Sequence, residues 1–521
     1  MKEFNVTGNC VPDLHYMVDM SDKIEQIVKM VNKRQYFTIN RARQYGKTTI
    51  LGLLEKTLQT HYRVARISFE NLDEEDFATA GDFCETFIDL VAAALETTGI
   101  DKDKLKEWQN STPDRFSKLS KCITNLCEGD KVVLIIDEVD RTSNNRVFLK
   151  FLSTLRSKYL ARNEGKDTTF HSVILAGVTD IKNLKLMMTV AGNYTPRENE
   201  GKNNSPWNIA ADFDVDLSFS SAGIATMLQQ YEADHQTAMD ITELSQEIYR
   251  YTRGYPFLVS RICQCIDGKL DRAWTLGGVQ AAVKVLLEEK NTLFDDMSKN
   301  FENNPELYDF AYAVLIDGEV RPFTIDDPYV NFGVMLGYFR NNNGQVAIAN
   351  RVFEIRMTNY FIMRNIRTKK QIKNVVKSEI IKDNKFNMQL CLEKFAIHYK
   401  ELYNPKEDAK FVERHGRMVF LSYLKPLING YGFYHIESGL TDYRRMDIVV
   451  DYGTDQFIIE LKLWSGDSDH DKAYTQLLGY MNSKNAAEGY LLTFDFRQDA
   501  NKQRKAEWVL LDGKRIFDVV V

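Results

Sequence analysis

Apolar and polar positions fall along this chain in several distinct rhythms. Lys131-Val-Val-Leu-Ile-Ile-Asp-Glu-Val-Asp140 is a continuous apolar run ending in acids, the pattern of a parallel strand buried on both faces. Arg34-Gln-Tyr-Phe-Thr-Ile-Asn40, Tyr62-Arg-Val-Ala-Arg-Ile-Ser-Phe69 and Phe170-His-Ser-Val-Ile-Leu-Ala-Gly177 read as further strands at α/β spacing, with a helix from Phe148 to Leu160 before the last. From Ile224 to about Asn300 the periodicity turns helical, as in Ile241 to Arg250 and Gly278 to Leu287. Gly337 to Asn350 reads as two short strands about an Asn-Gly-type turn, with helix on either side. Near the end, Arg445-Met-Asp-Ile-Val-Val450 and Gln456-Phe-Ile-Ile-Glu460 are apolar runs joined by Asp451-Tyr-Gly-Thr-Asp455. Gln476-Leu-Leu-Gly-Tyr480 follows in a helical pattern, then strands at Tyr490 to Phe494 and Trp508 to Leu511.

This order predicts an α/β multidomain protein. A parallel-sheet core occupies residues 1–220, a helical lid 221–300, a winged-helix-like region 301–365, a basic linker 366–384 and a second α/β domain 385–521. Arg364, Arg367, Lys369, Lys370, Lys373 and Lys377, a basic stretch between the middle region and the last domain, read either as solvated positions or as a local patch for nucleic acid. The winged-helix-like region has two readings as well: it touches duplex DNA, or it packs only on its neighbours.

Arg41-Ala-Arg-Gln-Tyr-Gly-Lys-Thr48 lies between a strand and a helical segment. Strand, loop and helix around Gly-Lys-Thr form a P-loop: backbone N–H groups and the helix N-terminus cradle phosphates, Lys47 reaches the β/γ oxygens and Thr48 binds Mg²⁺. Arg41 stands where the general pattern has its first glycine. The strand ending at Asp137 supplies the missing context: Asp137 is placed to bind the nucleotide's Mg²⁺ and Glu138 to polarise the attacking water. Thr179, at the tip of the strand ending at Gly177, is the candidate γ-phosphate sensor.

These residues resemble the AAA-ATPase-like family, common in bacteria, whose P-loop reads Arg-Pro-Arg-Arg-Phe-Gly-Lys-[Ser/Thr]. The frame is kept here, with Ala42 in place of proline and Gln44 in place of arginine. Ser205 to Asp216 and Arg253-Gly-Tyr-Pro-Phe257 look like further landmarks of that family. The resemblance implies ATP bound by Arg43, Gln44, Tyr45, Gly46, Lys47, Thr48, Thr49, Asp137 and Thr179, and assembly of like subunits through the ATPase core. Arg141 and Arg253 are the candidates for an arginine acting in trans.

In the last quarter, a hairpin turning between Gly453 and Thr454 places Asp447 opposite Glu460, with Lys462 on the same face. Two facing carboxylates raise each other's pKa unless a cation neutralises them, and a hard divalent ion with oxygen ligands, Mg²⁺ or Mn²⁺, serves best. Such an ion polarises a phosphodiester and lowers the pKa of a bound water, while the Lys462 ammonium offsets developing charge. Gln476 and Tyr480, four apart, share a helical face.

Asp, then Glu-x-Lys, then Gln-x-x-x-Tyr resembles the RecB-like branch of the PD-(D/E)XK nuclease superfamily, of restriction-endonuclease-like fold. By that resemblance Asp447 and Glu460 hold metal, Glu413 is the first-helix glutamate that joins them, Lys462 is the catalytic lysine, and Gln476 and Tyr480 complete the site. Met446, not proline, precedes Asp447. Asp467, Asp469, His470 and Asp471 follow Ser465-Gly466 and read as a solvated, turn-rich loop rather than metal ligands.

A formal charge of −6 over 521 residues gives no global attraction to DNA, so contact with nucleic acid falls to local patches. The seven cysteines lack a paired C-x-x-C framework and read as core thiols rather than a disulfide scaffold or zinc site. The N-terminus lacks a signal-peptide profile and no apolar run reaches the ~18 residues that span a bilayer, so the expected location is the cytoplasm, without a membrane partner. The expected function is ATP hydrolysis coupled to Mg²⁺-dependent cleavage of nucleic acid, DNA foremost. Two alternatives stand beside it: a regulatory or signalling ATPase whose C-terminal domain only binds nucleic acid or protein, and a nucleotide sensor that does not hydrolyse.

Overall fold

The computed structural model describes residues 2–139, 145–178, 207–317, 319–368, 377–383, 385–402, 413–428, 432–438, 446–453, 455–464, 467–495 and 505–521. The chain divides into two compact units, Met1–Asn304 with Thr324–Arg340, and Pro305–Phe323 with Asn341–Val521.

In the first unit four parallel strands, β1 (Tyr36–Asn40), β2 (Arg63–Ser68), β3 (Val132–Asp137) and β4 (Ser172–Gly177), form a sheet in the order β1-β4-β3-β2. Every residue of β3 is buried, which explains its unbroken apolar run: helices cover both faces of a doubly wound sheet. The register aligns Asn40 with Gly177 and Ser68 with Asp137, so these carboxyl ends finish level. That is the edge where open α/β sheets hold ligands. Helix α1 (Ser21–Asn32) precedes β1 and α2 (Lys47–Leu58) follows it; α3 (Ala80–Leu95) starts at a capping box of Thr79 and Asp82, and α4 (Arg146–Asn163) joins β3 to β4. Beyond β4, Ala211 bridges Phe37 alongside β1, and the buried Trp207 stacks on Tyr36 and donates its indole N–H to Thr38.

Five helices follow: α5 (Ser221–His235), α6 (Ile241–Thr252), α7 (Pro256–Lys269), α8 (Leu276–Glu288) and α9 (Thr292–Asn303). Ser220, Asp240, Thr275 and Asn291 cap α5, α6, α8 and α9, and Pro256 opens α7, where its missing N–H costs nothing.

The chain enters the second unit at Pro305 and returns to it through a hairpin of β5 (Phe339–Asn342) and β6 (Gln345–Ile348), whose turn residues Asn343 and Gly344 both have positive φ. Helices α10 (Arg351–Thr368), α11 (Met388–Leu402) and α12 (Glu413–Ile428) precede β7 (Gly432–Ser438), β8 (Met446–Tyr452) and β9 (Asp455–Leu463). Then come α13 (Asp467–Ser483), β10 (Glu488–Phe494), β11 (Ala506–Leu511) and β12 (Lys514–Val520). The sheet order is β11-β12-β10-β9-β8-β7; β9, β10 and β12 run parallel, and β8 is antiparallel to β7 and β9. Helix α13 lies on this sheet through Ala473, Leu477 and Met481 against Ile458, Leu491 and Ile516. The expected turn-rich loop at 467–471 is corrected: these residues open α13, where acids favour the positive end of the helix dipole.

Candidate functional site

In the first unit the chain leaves β1 at Asn40 and turns through Arg41 to Gly46. Gln44 (φ 57°) and Gly46 (φ 78°) take left-handed conformations, which brings the start of α2 round to face the loop. Gly46 caps α2 without a side-chain bond, so the N–H groups of the first turn are directed at the loop's concavity, an anion-binding arrangement. Arg41, in place of the usual glycine, turns its side chain away: the guanidinium donates to the carbonyls of Asn40 and Val215 at 2.7 and 2.6 Å and lies over Phe213.

Lys47 is 7% exposed, and its ammonium donates to the carbonyls of Arg41 (2.9 Å) and Ala42 (3.1 Å). Thr48 is exposed, and Thr49 accepts a hydrogen bond from the Cys10 backbone at 3.1 Å. Asp137 is buried at the end of β3. Burial pushes its carboxyl pKa up, offset in part by the Glu138 N–H that it accepts at 3.0 Å and by the charges of Arg66 (3.7 Å) and Lys47. Glu138 follows with φ 56°. Gly46, Lys47, Thr48, Thr49, Glu138 and Tyr255 are among the residues that line a cavity of about 920 Å³, a volume suited to a nucleotide-sized ligand.

The side chains of Arg43 and Gln44 reach across the loop to α9, where Arg43 pairs with Asp296 at 3.0 Å and Gln44 donates to Thr292 at 2.6 Å. Tyr45 packs edge-on against Tyr255, whose hydroxyl donates to the Arg43 carbonyl at 2.5 Å. Gly254 makes this possible: its φ is +72°, and a Cβ there would lie 1.8 Å from the Phe219 carbonyl oxygen. Arg253 is exposed at the end of α6. Thr179 and Arg141 lie outside the described residues.

In the second unit the β8–β9 register pairs Ile448 with Ile459 and Tyr452 with Asp455, the alignment that the expected turn requires, and Asp447 stands on β8 next to Ile448. The side chains of Asp447 and Glu413, the latter the first residue of α12, lie outside those described. Glu460 is 1% exposed and its Oε1 is 3.2 Å from the Lys462 ammonium. Gln476 and Tyr480 are half-buried on α13, and Gln476 Oε1 has no hydrogen-bond partner among the described residues. Among the described residues no group of three or more His, Cys, Asp and Glu side chains gathers as a metal cluster.

One polar cluster was missed. Asp518, fully buried on β12, accepts on Oδ2 from Tyr474 (2.5 Å) and Lys505 (3.3 Å), with His470 Nε2 at 2.9 Å. The His470, Tyr474 and Lys505 partners hold its carboxyl below the usual range despite burial. A lone carboxylate inside the apolar run Arg515-Ile-Phe-Asp-Val-Val-Val521 was the available signal.

Residues 14–272, just under half of the chain, match a family model described as an AAA-like domain. Among solved structures, the Walker-type ATPase PABY2304 of Pyrococcus abyssi is similar at 13% identity and a TM-score of 0.46, covering 68% of this chain and 99% of its own. The Aeropyrum pernix ORC2 protein in ADPNP-ADP complexes aligns at 14% identity and a TM-score of 0.35, covering 67% and 95%. The Thermotoga maritima RuvB Holliday junction branch migration motor aligns at 11% and 0.32, covering 68% and 96%. At these identities and scores the likeness bears on neither activity nor partners. No curated protein matches the chain. Residues 14–272 are thus similar to an AAA-like domain, and no helix among the described residues is long and apolar enough to cross a membrane.

Proposed function

We propose that the protein hydrolyses ATP in its first unit and uses its second to cut a nucleic-acid phosphodiester with a divalent cation. At the first site the N–H groups of Gly46 to Thr49 cradle the phosphates, and Lys47 exchanges its loop carbonyls for β/γ oxygens. Thr48 and Asp137 hold the nucleotide's Mg²⁺, with Arg43, Gln44 and Tyr45 shaping the loop, and Glu138 polarises the attacking water. Thr179 as sensor and self-assembly through this unit belong to the same reading.

At the second site the observation that supports the proposal is a Glu460 carboxylate buried beside Lys462 on a strand paired with β8 from Ile448 opposite Ile459; the same register carried on by one residue would set Asp447 opposite Glu460. A buried carboxylate paired with a facing one suits Mg²⁺ or Mn²⁺. Asp447 and Glu460, with Glu413, would hold the ion, which supplies Lewis acidity and an activated water when bound. Lys462 offsets charge developing at phosphorus, while Gln476 and Tyr480 orient the backbone being cut. DNA is the proposed substrate.

The test is incubation of the purified protein with linear, circular and single-stranded DNA, with and without ATP and Mg²⁺. Lys462→Ala is expected to abolish cleavage and leave phosphate release from ATP intact; Glu138→Gln is expected to abolish phosphate release. Cleavage that persists in Lys462→Ala defeats the site assignment; a parent protein that releases phosphate from ATP but cuts none of these substrates is the regulatory ATPase.

A further inference from the structure

The face of the C-terminal sheet beneath α13 changes character along its strands. At one end Ile458, Leu491 and Ile516 meet the apolar side chains of α13. Further towards the carboxyl ends of the parallel strands the same face carries Glu460 and Asp518, either side of Leu491 in register, and then Lys462 and Thr493. Thr493 on β10 stands in direct register with Lys462 on β9, so the two Cα atoms are about 4.8 Å apart with side chains on one face.

Thr493 is fully buried, and its Oγ1 has no hydrogen-bond partner among the described residues. A buried hydroxyl without a partner is costly, whereas valine would fill the same volume without that cost. Of its polar neighbours on this face, Asp518 has Oδ2 held by His470, Tyr474 and Lys505 and Oδ1 without a hydrogen-bond partner among the described residues, and the Lys462 ammonium lies against Glu460; two acceptors attract a cation released from Glu460, and Thr493 is the one in direct register with Lys462. A divalent cation on Glu460 competes with that ammonium for the same carboxylate and repels it. The ammonium has three donors and an in-register acceptor one strand away.

We propose that Thr493 is a positioning residue for Lys462, its hydroxyl receiving the ammonium when a divalent cation takes the Glu460 carboxylate. This rests on the nuclease reading of the same site. Thr493 has no role in holding the metal; it lowers the cost of releasing Glu460 to it and fixes the lysine where it serves the phosphodiester.

The experiment is Mn²⁺ binding to the nucleotide-free full chain, by calorimetry, taking as the C-terminal site the component that Glu460→Gln removes. Thr493→Val is expected to weaken that component about tenfold, the low end for groups that orient a metal's ligands, and Thr493→Ser to restore it. In a Lys462→Met background the valine substitution should add nothing. Melting in EDTA should show Thr493→Val at least as stable as the parent, which separates the effect from misfolding. A parent protein lacking the Glu460-dependent component overturns the nuclease reading and this inference with it. A component present and equally tight in Thr493→Val, or weakened by that change in the Lys462→Met background too, overturns the inference alone.

Discussion

His171 sits at the amino end of β4, 8% exposed, beside the Tyr62 ring and near the charges of Arg34, Arg162 and Lys131. Burial first, then those three cations, lower its pKa from 6.5 to about 4. The imidazole therefore stays neutral in the fold where the unfolded chain would protonate it. A depressed histidine pKa contributes stability that is present above pH 6.5 and lost as pH falls toward 4, because the unfolded state then binds the extra proton. With about 1.4 kcal/mol per pKa unit, the loss from this one group is about 2 kcal/mol at pH 5 and about 3 kcal/mol near pH 4.

His171→Gln keeps a polar group of similar reach and removes the titration. Urea unfolding of the two proteins at pH 7.5 and pH 5 isolates the term, since the carboxylates that also titrate are common to both. The parent should lose about 2 kcal/mol more than the variant over that interval. An equal loss in both, within the error of extrapolation, would refute the claim that the fold excludes the imidazolium. His171 lies at the end of the sheet opposite Asn40, Asp137 and Gly177, so ATP affinity at pH 7.5 should be the same in both.

Lys47→Met removes an ammonium but keeps a long stem; losing one or two charge-assisted bonds to phosphate should weaken ATP binding about 10- to 100-fold or more, measured by fluorescent-nucleotide titration. Gly254→Ala forces a left-handed alanine, about 1–2 kcal/mol, and drives a methyl into the Phe219 carbonyl; the melting temperature should fall by several degrees and ATP binding should weaken, because Tyr255 is displaced from the P-loop. Asp137→Asn should leave the nucleotide-free protein as stable or more stable at pH 7 while abolishing ATP turnover, since folding raises this carboxyl's pKa and stability is lost as it ionises. Asp518→Asn should do the reverse in the second unit, costing about 2 kcal/mol or more by breaking a buried ionic network.

Features set by local pattern were legible in the sequence: the buried β3, the strand–loop–helix around Gly46-Lys47-Thr48, and the β8–β9 register, which a short turn dictates. Contacts between distant segments were not. His470 and Asp518 are 48 positions apart, and Cys10 and Thr49 are 39 apart; nothing in either stretch marks the other. The start of α13 was hidden because aspartates disfavour a helix interior yet suit its first turn, and composition alone does not say which applies. Arg43 and Gln44 carried a phosphate-binding expectation from their place in the loop, but their side chains find acceptors on α9, a helix some 250 residues further along the chain.

Two buried carboxylates show how the same side chain is used for opposite ends. Asp518 has a phenol, an imidazole and an ammonium on one oxygen, and these hold its pKa below the ordinary range against the pull of burial. Its charge is met from within the fold, and it fastens α13 to the sheet. Asp137 has one backbone N–H at 3.0 Å and an arginine no nearer than 3.7 Å, and burial wins: its pKa is raised. A carboxylate under-neutralised by its own protein, at the carboxyl edge of a parallel sheet, destabilises the fold slightly, and the Mg²⁺ proposed for this site would relieve that cost. That difference in donors, invisible in two apolar runs that each contain one aspartate, separates the residue expected to act from the one expected to hold.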